Sequence, residues 1–167
     1  MHKICGNVHP TNQNSTMRWE AGYLLIRAMR QWFDGRRNWH LVQRDFKSLL
    51  GPERGADVEA GLITLLDGLS LYANRPLKIL RPGSNAFGLD EILIHQAIAA
   101  SQQSQFTKMN LLVEQFTRTE GYEAIADSLF LLTRSFLRVG FVLPLLDTPL
   151  LGTNAITRPA PQLRAAE

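Results

Sequence analysis

The chain has 167 residues, enough for one domain with a sizeable hydrophobic core and too few for two comfortable ones. Its 45% hydrophobic and 20% charged residues exclude a disordered chain, and its single cysteine excludes an internal disulfide framework or a four-cysteine zinc site. The net charge of +3 is uneven, because residues 17–50 hold seven bases against three acids whereas residues 51–104 hold four bases against six acids. Any attraction for an anionic partner would therefore come from the first third.

The first 16 residues are polar, rich in Asn and Thr, and show neither a helical nor a strand period. We interpret residues 1–16 as an N-terminal arm. They lack the apolar core of about 7–15 residues that a secretory signal needs, and we expect a cytoplasmic protein. His2, Cys5 and His9 follow one another at spacings of three and four, but three candidate ligands without a fourth do not define a metal site, and we predict none.

Two helices are predicted in the basic first third. Apolar residues recur at three- and four-residue spacing from Met17 to Asp34, which indicates the first helix. Gly35 stands where helices commonly end in a left-handed residue. Asn38 is a suitable cap for a second helix that runs to Leu50.

A third helix is predicted to begin at the cap Asp57 and to run to Tyr72. Gly61 and Gly68 lie seven residues apart on nearly the same face of it. Each glycine costs about 0.8–1.0 kcal/mol relative to alanine inside a helix, so we expect close packing by another helix as the compensation. The helix stops before Arg75, since the residue that precedes a proline is biased away from helical angles.

The middle of the chain reads as an extended connector followed by a fourth helix. Residues 77–81 alternate in the manner of a strand but have no obvious partner strand, and Pro82-Gly83 indicates a turn. Asp90 and Glu91 then fall in the first turn of the helix, where they interact favourably with its dipole and would repel a bound phosphate. We therefore interpret this stretch as the start of a helix. A remaining functional interpretation is that Asn85, Asp90 and Glu91 grip a cation or a basic residue of a partner.

His95 lies on the apolar face of the fourth helix, four residues after Glu91. A carboxylate–imidazole metal site fits that spacing, but a structural histidine bonded to a carbonyl or to Glu91 is the more common arrangement and is our prediction. The sequence holds no signature of a catalytic nucleophile or a zinc protease. We therefore predict no catalytic residues and no cofactor, and an enzyme with carboxylates assembled in space is the third hypothesis for function.

Two further helices complete the predicted fold. One spans 107–117, and the other opens at Thr119 or Gly121 and ends at Gly140 or Pro144. Arg134 and Arg138 interrupt the apolar stretch 128–146, which argues against a membrane-spanning helix. We predict an all-α, single-domain bundle of about six helices over residues 17–146 with an extended connector in the middle, followed by a proline-containing tail over 147–167.

Nucleic-acid binding is our second hypothesis for function. Basic residues cluster on the first two helices with Trp39 and His40 among them, and such a face can bind phosphates. Asp34 and Asp45 interrupt the run, and no recognition helix of short polar residues is evident. The candidate residues are Arg27, Arg30, Arg36, Arg37, Arg44 and Lys47.

Protein–protein contact is our leading hypothesis, with a homodimer or another protein as the partner. Trp19, Trp32 and Trp39 fall within one helical pair, and an aromatic left at a surface makes a strong interface residue. The apolar segment 141–152 continues beyond the last helix and should dock either on its own domain or on a second copy. Its candidate contact residues are Phe141 and Leu145.

Four short stretches carry a family resemblance: RPL at 75–77, RPG at 81–83, DE at 90–91 and QAIAAS at 96–101. Over about residues 20–145 the chain resembles a family of small, uncharacterised all-helical proteins of proteobacteria. The relatives often carry cysteine in the turn where this chain has Ser84 and Asn85, which removes any implication of metal binding. The resemblance implies a helical fold and a bacterial cytoplasmic setting, and it implies no activity.

Overall fold

A computed structural model gives the structure of the protein and describes residues 11–145, with side chains from residue 20 onward. Within that range the chain forms an all-α bundle, which confirms the predicted fold class. The six α-helices and one 3₁₀ turn are α1 (Thr11–Phe33), α2 (Trp39–Leu50), α3 (Pro52–Tyr72), α4 (Leu89–Gln102), α5 (Phe106–Glu114), the turn Thr119–Gly121 and α6 (Tyr122–Arg138).

The start of α1 corrects the predicted boundary of the N-terminal arm. The chain is already helical at Thr11, the first residue that the structure describes, so the last six residues of the predicted arm are helical. Residues 1–10 of that arm and the tail 147–167 lie outside the described residues. The polar composition of 11–16 concealed the helix, because these residues add no apolar positions to the helical period.

The start of α3 corrects a second boundary. The helix begins at Pro52, and the predicted cap Asp57 lies inside it. Proline suits the first position of a helix because its φ is already near the helical value and its missing N–H has no partner there in any case. Gly51 makes the sharp turn from α2 into α3 with φ 85° and ψ 162°, a conformation that glycine adopts without steric cost.

The two glycines of α3 mark the place where α6 packs against it, as the sequence predicts. A Cβ added at Gly61 would lie 3.4 Å from Cα of Leu132, and one added at Gly68 would lie 2.9 Å from Cδ1 of Ile125. Leu132 and Ile125 are also seven residues apart and in the opposite order, so the two helices run antiparallel. The missing side chains let the two backbones approach closely.

Contacts between helices form a closed ring, from α1 to α2, α3, α6 and α4 and back to α1, with α5 packed against α4 and α6. The fourth helix lies deepest in this arrangement. All twelve of its residues from Asp90 to Ser101 are buried, including His95 and Gln96. The sequence predicts burial of the apolar positions of α4, and the structure extends it to the whole circumference of the helix.

The connector between α3 and α4 is extended over residues 76–81 and pairs with no strand of the described residues, as the sequence predicts. Its beginning is fixed to the turn between α5 and α6 by an isolated bridge between Ala73 and Thr117. Asn74 N–H donates to Phe116 O at 3.1 Å, and Arg118 N–H donates to Tyr72 O at 2.8 Å. These bonds hold the end of α3 in place before the chain crosses to α4.

Candidate functional site

The most elaborate polar arrangement of the described structure lies at the start of α4, around Glu91. This carboxylate is fully buried and forms a two-point ion pair with Arg30 of α1, whose Nε and Nη2 donate to Oε1 and Oε2 at 2.8 and 2.7 Å. Two such parallel bonds match the planar guanidinium to the planar carboxylate and make the pair stronger than a single contact. The pair links α1 to α4 across 61 residues of sequence.

The same two side chains also bind the connector. Arg30 donates to the carbonyl oxygens of Ser84 and Ala86 at 2.6 and 2.5 Å. Glu91 accepts the backbone N–H groups of Leu80 and Gly88 at 2.9 and 2.8 Å. The bond to Gly88 closes the first turn of α4, since Gly88 precedes the helix and Glu91 is its third residue.

Asp90 forms a second cluster beside the first. Arg75 of the connector donates to both of its carboxylate oxygens at 2.8 and 2.6 Å, and Lys78 N–H donates to Oδ2 at 2.6 Å. Burial raises the pKa of Asp90, but the bonds from Arg75 and Lys78 outweigh burial and leave the pKa below its usual value. The hydrogen bond to Asp90 likewise raises the pKa of Arg75. Both groups therefore stay charged in the folded protein.

The structure thus places Asp90 and Glu91 together, as the sequence suggests, and shows what they grip. Their partners are Arg30 and Arg75 of the chain itself, together with backbone N–H groups of the connector. Asn85, the third predicted member, is exposed and is not among the hydrogen-bond partners of either carboxylate in the described structure. The two clusters fasten the connector onto α1 and α4, and their carboxylate oxygens are already occupied.

His95 is separate from these clusters. It is only 4% exposed, packs against Gly22 of α1, and its Nδ1 has no hydrogen-bond partner. Burial lowers its pKa from 6.5 to about 4. The predicted bond to Glu91 is not formed, because the oxygens of Glu91 are committed to Arg30 and to the connector. His95 is therefore neutral near pH 7.

Metal ligands are not assembled in the part of the chain whose side chains are described. No group of three or more His, Cys, Asp or Glu residues there is placed to hold an ion. His2, Cys5 and His9 lie outside the described residues. An open depression of about 650 Å³ near the turn between α5 and α6 is lined by three glutamates together with Thr117, Arg118, Thr119 and Tyr122, and its lining contains neither His nor Cys.

Most of the predicted basic face is engaged within the protein. Arg30 is buried with Glu91, and Arg27 pairs with Asp45. Arg36 lies 3.2 Å from the centre of the Trp32 ring and reaches Asp67 at 3.2 Å. Arg44 contacts the same Asp45 at 3.4 Å.

Arg37 and Lys47 are the two members of this set that are exposed and have no ion pair among the described residues. A face that binds phosphates needs several uncommitted cations, because each neutralised phosphate contributes to the affinity. Two of the six predicted cations are therefore uncommitted among the described residues.

Two of the three predicted contact tryptophans, Trp32 and Trp39, pack within the domain. Trp32 is buried and meets Trp39 edge to face with ring centres 5.3 Å apart, and Trp39 Nε1 donates to Glu59 at 2.8 Å. These rings join α1, α2 and α3. The side chain of Trp19 lies outside the described side chains.

The segment after α6 docks on its own domain over residues 141–145, which is one of the two predicted outcomes. Phe141 is buried against Phe136 with ring centres 4.7 Å apart, and Leu145 is partly buried against the core. Gln102 clamps the segment through bonds to Phe141 O at 2.7 Å and Leu143 N–H at 2.8 Å. Residues 146–152 lie outside the described residues.

The structure instead exposes apolar side chains on α5 and α6 that lie outside the predicted contact residues. Phe106 of α5 touches Phe130 of α6 with ring centres 5.7 Å apart. Leu131 and Leu137 of α6 are exposed as well, and these four side chains are 38–55% exposed. We call Phe106, Phe130, Leu131 and Leu137 the α5–α6 apolar face. The sequence carries one indication of this face: Phe130, Leu131 and Leu137 are apolar residues of α6 that lie outside its predicted buried stripe.

Comparison with protein-family models, with curated proteins and with solved structures finds no match. The family resemblance therefore stays a prediction. Among the described helices, none combines the length and the apolar character that a passage through a membrane requires.

Proposed function

We propose that the protein is a non-catalytic helical domain that acts by binding protein through the α5–α6 apolar face. The observation that carries the proposal is the exposure of four large apolar side chains on two adjacent helices, whereas the other described aromatics apart from Tyr23 and Phe33 are buried or packed against the core. Contiguous exposed apolar side chains are typical of interaction sites, because their removal from water favours association.

The chemistry of the charged residues supports a non-catalytic role. The carboxylate oxygens of Asp90 and Glu91 accept hydrogen bonds from arginines and backbone groups of the chain. His95 forms no hydrogen bond with either carboxylate and is neutral at pH 7. A general acid or base needs a free oxygen or nitrogen within reach of a substrate. The proposal includes a bacterial cytoplasmic setting, which the lone cysteine and the family resemblance favour.

Site-specific photo-cross-linking tests the proposal. A benzophenone amino acid replaces Leu131 in the face or Ala56 on the exposed side of α3, and each variant is irradiated in cells that produce the chain. We expect discrete cross-linked protein adducts from position 131 and none from position 56. In a third variant, Phe130→Glu added to the position 131 probe should abolish the adducts while the far-ultraviolet circular dichroism is unchanged. Adducts that are absent at 131, or equal at both positions, would overturn the proposal.

A further inference from the structure

The outward side of α6 carries one stripe with an ordered charge. At spacings of four, four, three and four residues, the stripe runs Glu123, Asp127, Leu131, Arg134 and Arg138, and all five side chains are exposed. Residues at this spacing follow one another along one side of a helix. Both acids therefore precede Leu131, and both bases follow it.

Within one chain this order leaves like charges as neighbours. Glu123 lies four residues from Asp127, and Arg134 lies four residues from Arg138, a spacing at which like charges repel. None of the four takes part in an ion pair among the residues that the structure describes. Interaction with the helix dipole accounts for Glu123 in the first turn and Arg138 in the last. Asp127 and Arg134 lie further in, where that effect has faded.

A second α6 in antiparallel orientation supplies what the stripe lacks. In a twofold-symmetric pair, residue i of one chain faces residue j of the other and j faces i. With the axis between Phe130 and Leu131, Glu123 faces Arg138, Asp127 faces Arg134, and Leu131 faces Phe130 of the second copy. One register therefore satisfies every charge of the stripe and covers its apolar centre. A parallel pair would place like charges against each other.

Resting on the proposed function, we propose that the protein bound at the α5–α6 apolar face is a second copy of this chain, with the two α6 helices antiparallel across a twofold axis at Phe130 and Leu131. Phe106 and Leu137 border the stripe and are covered at the edges of the pairing. Complementary charge fixes the register and disfavours other arrangements, while the apolar centre supplies the attraction.

Charge reversal at one pair of positions tests the register. In a dimer of Asp127→Arg, the new arginine of each chain would face Arg134 of the other chain. In a dimer of Arg134→Asp, the new aspartate of each chain would face Asp127 of the other chain. We expect each variant alone to self-associate about tenfold more weakly than the unmodified chain, or weaker still, in sedimentation velocity at low salt. An equimolar mixture of the two variants restores opposite charges at both contacts, so heterodimers should form with close to the original affinity. The double variant Asp127→Arg/Arg134→Asp should recover as well.

The control is Arg54→Asp, which reverses an exposed charge on α3 and should leave self-association unchanged. Thermal unfolding of every variant verifies the fold. A chain that stays monomeric at all concentrations, or a mixture that associates no better than its components, would overturn the inference. If the chain is monomeric and the probe at Leu131 still captures a different protein, the second copy is excluded and the proposed function stands. If that probe captures nothing, both are wrong.

Discussion

The start of α4 and the outer side of α6 use charge in opposite ways. At the start of α4 two carboxylates are buried, and each one meets an arginine and backbone N–H groups of the same chain. On α6 two acids and two arginines are exposed without ion pairs among the described residues, beside apolar side chains that are also exposed. The charges of the first region are paired within one chain, whereas the four charges of the second have no ion pair among the described residues.

The difference indicates which region stabilises the fold, and it agrees with our proposal that binding resides at the other. Removal of one member of a buried ion pair leaves an uncompensated charge in the interior, which is strongly destabilising. A change at an exposed position removes few contacts within the chain and costs little. Mutations should therefore separate the regions, with large losses of stability at the start of α4 and losses of association at α6.

The largest effect is expected from Glu91→Ala. The substitution strands Arg30 and two connector N–H groups, and we expect the free energy of unfolding to fall by about 3–5 kcal/mol in urea titrations. Asp67→Asn, which removes the partner of exposed Arg36, is the control and should cost less than about 1 kcal/mol. A Glu91→Ala protein as stable as the control would show that the cluster does not hold the fold.

The double variant Arg30→Met/Glu91→Leu sharpens this test. Apolar replacement of a buried ion pair often restores stability in other proteins. Here we expect no full recovery, because the N–H groups of Leu80 and Gly88 and the carbonyls of Ser84 and Ala86 would lose their partners. Unfolding in urea measures the stability of the double variant relative to Glu91→Ala and to the unmodified chain. If the double variant is as stable as the unmodified chain, the ion pair does not hold the connector in place.

The next effect concerns His95, the buried polar side chain that has no bonded partner at Nδ1. Its folded pKa of about 4 lies below its value of about 6.5 in the unfolded chain, so the unfolded chain binds more protons between these pH values. Stability should therefore fall by roughly 3 kcal/mol as the pH decreases from 6.5 to 4, and the full contribution is present above 6.5. In His95→Leu this part of the pH dependence should vanish. An unchanged slope in the variant would refute the assignment.

A smaller effect is expected at Arg75, which is more exposed than Arg30. Arg75→Ala should destabilise the protein by about 1–2 kcal/mol, because Asp90 keeps its bond to Lys78 N–H. The pKa of Asp90 is lower in the folded protein than its value of about 3.9 in the unfolded chain. Asp90 therefore contributes its full stabilisation above the unfolded pKa, and this stabilisation is lost as the pH falls through the folded pKa. Acid titration of unfolding should show this loss below pH 4 in the unmodified chain and a weaker loss in Arg75→Ala.

The smallest effect on stability is expected at the α5–α6 apolar face. Leu131 is 55% exposed, so Leu131→Lys should change the free energy of unfolding by less than about 0.5 kcal/mol. The same substitution should weaken association strongly, as sedimentation velocity reports. A loss of stability similar to that of Glu91→Ala would mean that Leu131 belongs to the core of the single chain.

The sequence predicts the helices and their main packing because the information is local. Apolar periodicity locates the six helices of the described residues, and the paired glycines of α3 correctly indicate close contact by another helix. The sequence predicts the starts of α1 and α3 less accurately, because the polar residues 11–16 and the turn at Pro52 carry no apolar period.

The site depends on contacts that are distant in sequence. Arg30 sits on an amphipathic helix among other bases, where an arginine normally faces water, and its partner lies 61 residues away. No local pattern connects the two. The exposed face of α6 was missed for a related reason: the helix has more apolar residues than its buried stripe needs, and only the packing shows which are left outside.

The ion pair between Arg30 and Glu91 also bears on the order in which the chain acquires its native form during synthesis. A nascent polypeptide that ends before Leu89 contains α1, α2 and α3 but no counter-ion for Arg30, which must then remain hydrated. Because burial of a lone guanidinium is costly, we expect α1 to reach its final position, with Arg30 buried, only once α4 and its Glu91 are available. We therefore expect α1 to dock together with α4, although it precedes α4 in the sequence.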